Sequence, residues 1–329
     1  MKRRSFIENS LAFGGGLSIA PLTSFKSKEK TNNTEEVIIE RYQPGQPHKG
    51  KVLAAIQPHS DDVPLFAGGT VAKLIKEGYT GYLIRTSNDD HAGRGKTPGK
   101  VIHNNEIDND EVAKALGLTK VFNLGYRNHR MDNISIQELR GRLIFLFRML
   151  KVDTIITYDP WGHYEENPDH YITASAVESA RWMAAGRLDY PEHLEAGITP
   201  HLVRERYYFA RGPQLVNRIV DIEETIDIKV ESNRVIVSQG PGGEAGSRLW
   251  KRLEKEGKKL PILGDDISKA DSNYIKHMVL DIDSQAQRGV PSDKEIGKMY
   301  DLKWAERFHY IGTQKSKMEA YLKSNTESK

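Results

Sequence analysis

From Lys51 onward the chain alternates short apolar runs with longer stretches whose apolar residues recur at helical spacing. That is the pattern of successive βαβ units and a parallel sheet. Val52-Leu53-Ala54-Ala55-Ile56 reads as a buried strand, and Phe66 to Glu77 as a helix closed by Gly78. Tyr82-Leu83-Ile84 is a second strand, followed by a glycine-bearing loop from Asp89 to Gly99 and a helix from about Asn105 to Leu116 that stops at Gly117. Val121-Phe122-Asn123-Leu124 is a third strand. Ser135-Ile136-Gln137-Glu138 has the form of a capping box, and it opens a helix on which Ile136, Leu139, Leu143, Phe147 and Leu150 share a face. Thr154 to Tyr158 is a fourth strand, and His170 to Ala185 the next helix.

These repeats predict an α/β fold with a doubly wound, mostly parallel, Rossmann-like sheet in the order 3-2-1-4. The first and fourth strands then lie side by side at the switch point, and ligands bind beyond the C-terminal ends of such strands. Beyond residue 200 the pattern weakens. Tyr207-Tyr208-Phe209 and Arg218 to Val237 alternate as strands do, whereas Leu249 to Lys259, Ile267 to Ala286 and Asp293 to Phe308 read as helices. We read them as the far edge of the same domain with helical C-terminal additions.

Composition narrows the chemistry. The chain has 329 residues, 38% of them hydrophobic, and a mean hydropathy of -0.59, which is globular and leaves no apolar run long enough for a transmembrane segment. There are no cysteines, so disulfides, thiol nucleophiles and Cys-type metal sites are excluded, and any metal must sit on His, Asp or Glu. The formal charge of +3 is concentrated at Lys2, Arg3 and Arg4. The nearly neutral remainder offers no basic stripe for nucleic acid. Residues 1–22 read as a secretory leader whose Arg3-Arg4-Ser5-Phe6-Ile7 resembles a twin-arginine signal, implying export, in a bacterium to the periplasm. Residues 23–36 read as polar linker, and residues 37–329 as one domain.

Two loops at the expected crevice are dense in potential ligands. After the first strand comes Gln57-Pro58-His59-Ser60-Asp61-Asp62-Val63-Pro64, leading to Gly68-Gly69-Thr70, and after the fourth comes Asp159 to His170. Together they offer an imidazole and a carboxylate from one side and an imidazole from the other. Three protein ligands with one position left for water is how a catalytic zinc site is built.

These residues resemble the PIG-L-like, or LmbE-like, zinc-dependent N-deacetylases, whose motifs are His-Pro-Asp-Asp-Glu and His-Pro-Asp-His. The resemblance spans about residues 50 to 185. It implies that His59, Asp62 and His170 hold Zn2+, or another divalent metal such as Fe2+, and that Asp61 is the general base. The implied activity removes an N-acetyl or other acyl group from an amino sugar, glycan or related N-acyl compound, leaving acetate and an amine. Three positions depart from the pattern: Ser60 replaces Pro, Val63 replaces Glu, and Asn167 replaces the first His of the second motif. The change at Ser60 is expected to alter only loop stiffness, and that at Val63 to remove a carboxylate that orients a ligand. An amide at Asn167 can donate to an oxyanion but cannot shuttle a proton, so His163 is expected to act as the acid and Tyr164 as a further oxyanion donor.

Other readings remain beside this one. The departures at Val63 and Asn167 also fit a catalytically impaired carbohydrate-binding protein, and Gly68-Gly69-Thr70 a nucleotide site that lacks the dinucleotide fingerprint. Close helix packing is the plainer use of Gly68 and Gly69, and a turn that of Gly240 to Gly243. Asp169 is either an orienting partner of a ligand or a helix cap. Trp161 and Tyr164 either stack on a sugar or pack the loop. Asn88, Asp89, His91, Arg94 and Arg127 are candidates to meet substrate hydroxyls, and His129 and Arg130 read as solvated loop.

Overall fold

The computed structural model describes residues 37–282, 289–313 and 317–326; the expected leader (1–22) and linker (23–36) lie outside them. Its strands are β1 (Ile38–Glu40), β2 (Val52–Gln57), β3 (Thr80–Ser87), β4 (Lys120–Tyr126), β5 (Thr154–Tyr158), β6 (Glu205–Phe209), β7 (Arg218–Asp221) and β8 (Ala305–Ile311). They form one eight-stranded sheet in the order β1-β7-β8-β6-β5-β2-β3-β4. Neighbours are parallel except where β8 meets β6 and β7. The four expected strands appear as β4-β3-β2-β5, so the order 3-2-1-4 holds and β2 lies beside β5, with Leu53 opposite Thr154.

The helices are α1 (Asp62–Lys76), α2 (Pro98–Leu116), α3 (Ile136–Leu150), α4 (Pro168–Met183), α5 (Glu192–Glu195), α6 (Ile226–Arg234), α7 (Ala245–Lys255), α8 (Ile267–Tyr274, continued by a π-helical stretch Ile275–Ile282), α9 (Asp293–Met299) and α10 (Lys317–Asn325). Strand β2 shows why layers form on both faces. Its side chains alternate across the sheet, so Leu53 and Ala55 pack with Val63, Val71 and Leu74 of α1. Ala54 and Ile56 pack with Leu139, Leu143 and Phe147 of α3 and with Val177 of α4. Full burial of such side chains contributes about 1.5–3 kcal/mol each. Among the described residues no helix is long and apolar enough to cross a membrane.

The expectations fail mainly where polar side chains face inward. Helix α1 begins at Asp62 rather than Phe66, and α2 at Pro98 rather than Asn105, with Thr97 accepting the Lys100 N–H as its cap. The strand-like stretch from Arg218 is strand only to Asp221; Ile226 to Arg234 is the helix α6, which buries Ile226, Lys229, Val230 and Asn233 at helical spacing. The helix expected from Asp293 to Phe308 ends at Met299, and Ala305 to Ile311 is instead the strand β8, so the C-terminal part is not purely helical. Glu306 occupies an inward position there and hides the alternation of that strand.

Close neighbours explain the two glycines of α1: a Cβ on Gly68 would come within 3.3 Å of Lys229 and Ser232. The Glu306 carboxylate accepts the Gly69 and Thr70 N–H groups at 2.9 and 2.8 Å, and Lys229 Nζ lies 2.6 Å from both Glu306 Oε1 and Asp293 Oδ2. A Cβ on Gly69 would come within 2.8 Å of Ile222, so Gly69 serves close packing.

Candidate metal centre

The first-motif loop leaves β2 and enters α1; the second leaves β5 and enters α4. Because β2 and β5 are neighbours, both loops empty into the same crevice. One ligand atom each from His59, Asp62 and His170 lies within 4.8 Å of the others, and all three residues are buried. His59 Nδ1 is 3.0 Å from His170 Nε2. Asp62 Oδ2 is 3.4 Å from His59 Nδ1, and Asp62 Oδ1 is 3.5 Å from His170 Nε2.

Each donor is oriented from behind. His59 Nε2 is 3.0 Å from Asp169 Oδ2, an arrangement that directs Nδ1 into the crevice when Nε2 carries the proton. Asp169 is itself fixed by the N–H groups of His129 and Met131, at 2.7 and 3.2 Å. His170 Nδ1 lies 3.1 Å from Glu165 Oε2, off the line of a good hydrogen bond, and Glu165 is held by Arg211. Tyr158, the last residue of β5, donates its hydroxyl to Asp62 Oδ1 at 2.7 Å and stacks its ring on His170 at 4.2 Å.

The electrostatics fit a cation. Burial disfavours a charged His59, yet Asp169 and Asp62 more than offset it and raise its pKa well above the ordinary imidazole value. Burial raises Asp62, but His170, His59 and the Tyr158 hydroxyl outweigh it and hold the carboxyl well below the usual range. A buried group of carboxylates that draws protons onto an imidazole is one that a divalent ion would satisfy. Asp61 behaves oppositely: burial, reinforced by the Asp62 charge, pushes it up to about 7.

A cavity of about 340 Å³ opens on this group and is lined by His59, Asp61, Asp62 and His170 together with Asn128, His129, Asn167, Arg211 and Gln239. A larger, more apolar groove of about 680 Å³ lies between β4 and α3 and contains none of the expected residues. Asn167 is present as expected, and it also caps α4 by accepting the Asp169 N–H at 3.0 Å. His163 and Tyr164 are not brought to the cavity: both are exposed, Tyr164 by 80%, because the loop turns outward where the His163 N–H donates to Pro213 O. Val63 faces the core.

His129 is exposed, as its reading as solvated loop expected, but it also lines the cavity, which the sequence did not show. It sits in the left-handed region (φ +58°) after β4, with its ring edge-on to His59 at 6.2 Å. Its signal was positional, since it follows the C-terminal end of a strand of this sheet. Gln239 was out of reach because the segment after α6 had no assigned place. Of the other candidates, Asp89 is buried, Asp90 pairs with Arg127 at 2.8 Å, and Arg94 pairs with Glu244 at 3.3 Å on the surface.

Residues 54–181 match the PIG-L family model, described as GlcNAc-PI de-N-acetylase. The core of this chain is PIG-L-like. Among curated proteins, the chain is 28% identical over 207 residues to a diacetylchitobiose deacetylase of Thermococcus kodakarensis, covering 61% of this chain and 73% of that protein. It is 22% identical over 241 residues to a 1D-myo-inositol 2-acetamido-2-deoxy-alpha-D-glucopyranoside deacetylase of Mycobacterium sp. (strain JLS), covering 59% and 76%. These relatives are N-acetyl deacetylases. The N,N'-diacetylchitobiose deacetylase structure from Pyrococcus horikoshii superposes with a TM-score of 0.61 at 20% identity, covering 80% of this chain and 84% of that one, which establishes the shared fold. The 4-carboxy-2-hydroxymuconate hydratase of Pseudomonas putida superposes at 0.54 and 17% identity, covering 81% and 98%, so a PIG-L-like fold alone does not fix the reaction.

Proposed function

We propose that this protein is a metal-dependent N-deacetylase that hydrolyses the N-acetyl group of an amino sugar or a related N-acyl compound. The observation that carries the reading is the convergence of His59, Asp62 and His170 within 4.8 Å on a cavity that Asp61 also lines. Zinc, or another divalent ion such as Fe2+, held by those three residues would supply a Lewis acid that acidifies water and polarises the acyl oxygen. Export through the Arg3-Arg4 leader belongs to the same proposal.

The chain's own groups do the rest. Asp61 accepts the proton of the water that attacks the acyl carbon. Asn167, on the cavity wall, donates to the oxygen as charge develops there. The C–N bond then breaks, and the nitrogen takes a proton from the His129 ring, since His163 lies outside the lining. Acetate release from N-acetylglucosamine, N,N'-diacetylchitobiose and N-acetylglucosaminyl-inositol tests the reading. Zinc-loaded protein that binds these compounds and releases no acetate would instead be a carbohydrate-binding protein, the alternative that the loss of a proton shuttle at Asn167 favours.

The acid assignment separates cleanly. His129→Ala is expected to lower turnover by about 10²–10⁴ at pH 7, the usual cost of losing a general acid, while His163→Ala stays within about two-fold of wild type. Steady-state rates in which His163→Ala is the damaged variant would reverse the assignment.

Gly240 sets the space around the base. It adopts φ +75°, and a Cβ there would lie 3.0 Å from Asp61 Oδ2 and 3.1 Å from Asp61 Cβ. Gly240→Ala is therefore expected to displace the carboxylate and lower kcat on the order of 10²-fold, as small misplacements of reacting groups do. Metal content, measured by elemental analysis, should be unchanged; a wild-type kcat would show that the turn is free to move aside.

A further inference from the structure

The deacetylase motif carries Ser60 where the family pattern has proline, and the structure gives that hydroxyl a use. Ser60 is fully buried, and its side chain points away from the cavity into a polar network. Its Oγ donates to Asp89 Oδ2 at 2.9 Å and accepts from Asn109 Nδ2 at 2.6 Å and, more weakly, from Arg85 Nη1 at 3.5 Å. A serine hydroxyl has one proton and two lone pairs, so Asn109 and Arg85 fill its acceptor sites, and its proton goes to Asp89, the nearer acceptor, rather than to Asn105 Oδ1 at 3.4 Å.

Asp89 carries the link onward. Its Oδ2 also accepts from Arg85 Nη1 at 3.1 Å, while its Oδ1 accepts from Ser87 Oγ at 3.2 Å and Asn128 Nδ2 at 3.3 Å. Asp89 sits in the left-handed backbone region at φ +56°, a strained conformation that persists only where surroundings enforce it. One buried carboxylate thus joins the loops after β2, β3 and β4, which carry His59 and Asp61, Asp89 itself, and Asn128 with His129. On the other side Asn109 accepts from Gln57 Nε2 at 2.9 Å, and Gln57 Oε1 accepts the Val63 N–H at 2.9 Å, so both ends of the first-motif loop are tied to the same network. Asn105, 3.4 Å from Ser60 Oγ, accepts from the cavity-lining Gln239 at 2.8 Å.

We propose that Ser60 is a positioning residue: through Asp89 and Asn109 its hydroxyl locks the peptide between His59 and Asp61, replacing proline's stiffness with a tether that also registers the His129 loop. Proline restricts one dihedral and reaches no neighbour. The serine tether fixes the loop relative to two other loops, which is what a base and an acid on separate loops require.

The inference rests on the deacetylase reading, and the test keeps the two apart. Ser60→Ala and Ser60→Pro are compared with wild type for zinc affinity, by competition with a chromophoric chelator, and for kcat and KM at saturating zinc. Both variants are expected to bind zinc more weakly and to lose kcat by about 10–100-fold, the usual cost of removing a partner behind a ligand, with KM within about two-fold. Ser60→Cys, nearly isosteric and a weaker donor, should fall between and serves if the other variants fail to fold. Folded variants with wild-type zinc affinity and kcat would overturn the proposal, as would a loss of activity matched by an equal loss of folded protein. If wild type binds zinc and releases no acetate, the deacetylase reading fails alone, and the chelator competition still judges the tether.

Discussion

Asp61→Asn is expected to lower turnover by about 10²–10⁴, the cost of losing a general base, without loss of bound metal. The amide keeps the shape of the carboxylate and cannot accept the proton of the attacking water. The metal-free variant should be no less stable than wild type, and more stable above pH 7. Burial and the adjacent Asp62 raise Asp61 from the ordinary 3.8 to about 7, so the folded state binds this proton more tightly than the unfolded chain. Stability linked to that proton is fully present below about pH 3.8 and lost as pH rises through about 7. Replacing the carboxyl by a neutral amide removes that loss, a trade of stability against activity common at working sites. A cation beside Asp62 offsets the charge that raises Asp61, so the acid limb of kcat/KM in loaded enzyme is expected below about 7. Chelator-stripped protein melted at pH 5 and pH 8, together with acetate release by loaded protein, checks both halves. An Asp61→Asn protein that no longer holds the ion would make Asp61 a ligand instead.

Strands β2, β3 and β5 were legible because each is buried on both faces, as inner parallel strands are, and the edge strand β4 because Val121, Phe122 and Leu124 form a short apolar run. The adjacency of β2 and β5 followed from the crossover rule, and with it the meeting of His59, Asp62 and His170 in one crevice. Strand β8 and helix α6 were misread for a shared reason. Each turns a charged side chain inward, Glu306 and Lys229, and these satisfy one another and the backbone of α1. Periodicity counts apolar residues and has no means of seeing a charge whose partner lies far along the chain. The same blindness hid Ser60, whose hydroxyl looks incidental until Asp89 and Asn109 are placed beside it. His163 lies outside the cavity lining although it is close in sequence to the second motif, because such proximity says nothing about which way a loop turns.

Lys229→Met is expected to destabilise the fold by about 3–5 kcal/mol, the cost of breaking a buried ion pair from one side, and to make stability fall steeply with rising pH. Lys229 Nζ is the cation 2.6 Å from each of two buried carboxylates, Asp293 and Glu306. Burial, opposed by Lys229 and reinforced by Glu306, already raises Asp293 from the ordinary 3.8 to about 6. In wild type the stability linked to its proton is therefore present below about pH 3.8 and lost as pH rises through about 6. Without the lysine the two buried carboxylates repel with no cation between them, so the folded-state pKa of Asp293 rises further and the loss extends through neutral pH. Glu306 also accepts the Gly69 and Thr70 N–H groups, and its ionised form is the better acceptor, so α1, whose first residue is Asp62, feels the change. Urea unfolding at pH 5 and pH 8 should show a larger deficit for Lys229→Met at pH 8. Adding Asp293→Asn and Glu306→Gln should recover much of it, because neutral partners no longer need the cation. A deficit below about 1 kcal/mol, or one that does not grow with pH, would mean that water reaches the cluster and screens it like a surface pair.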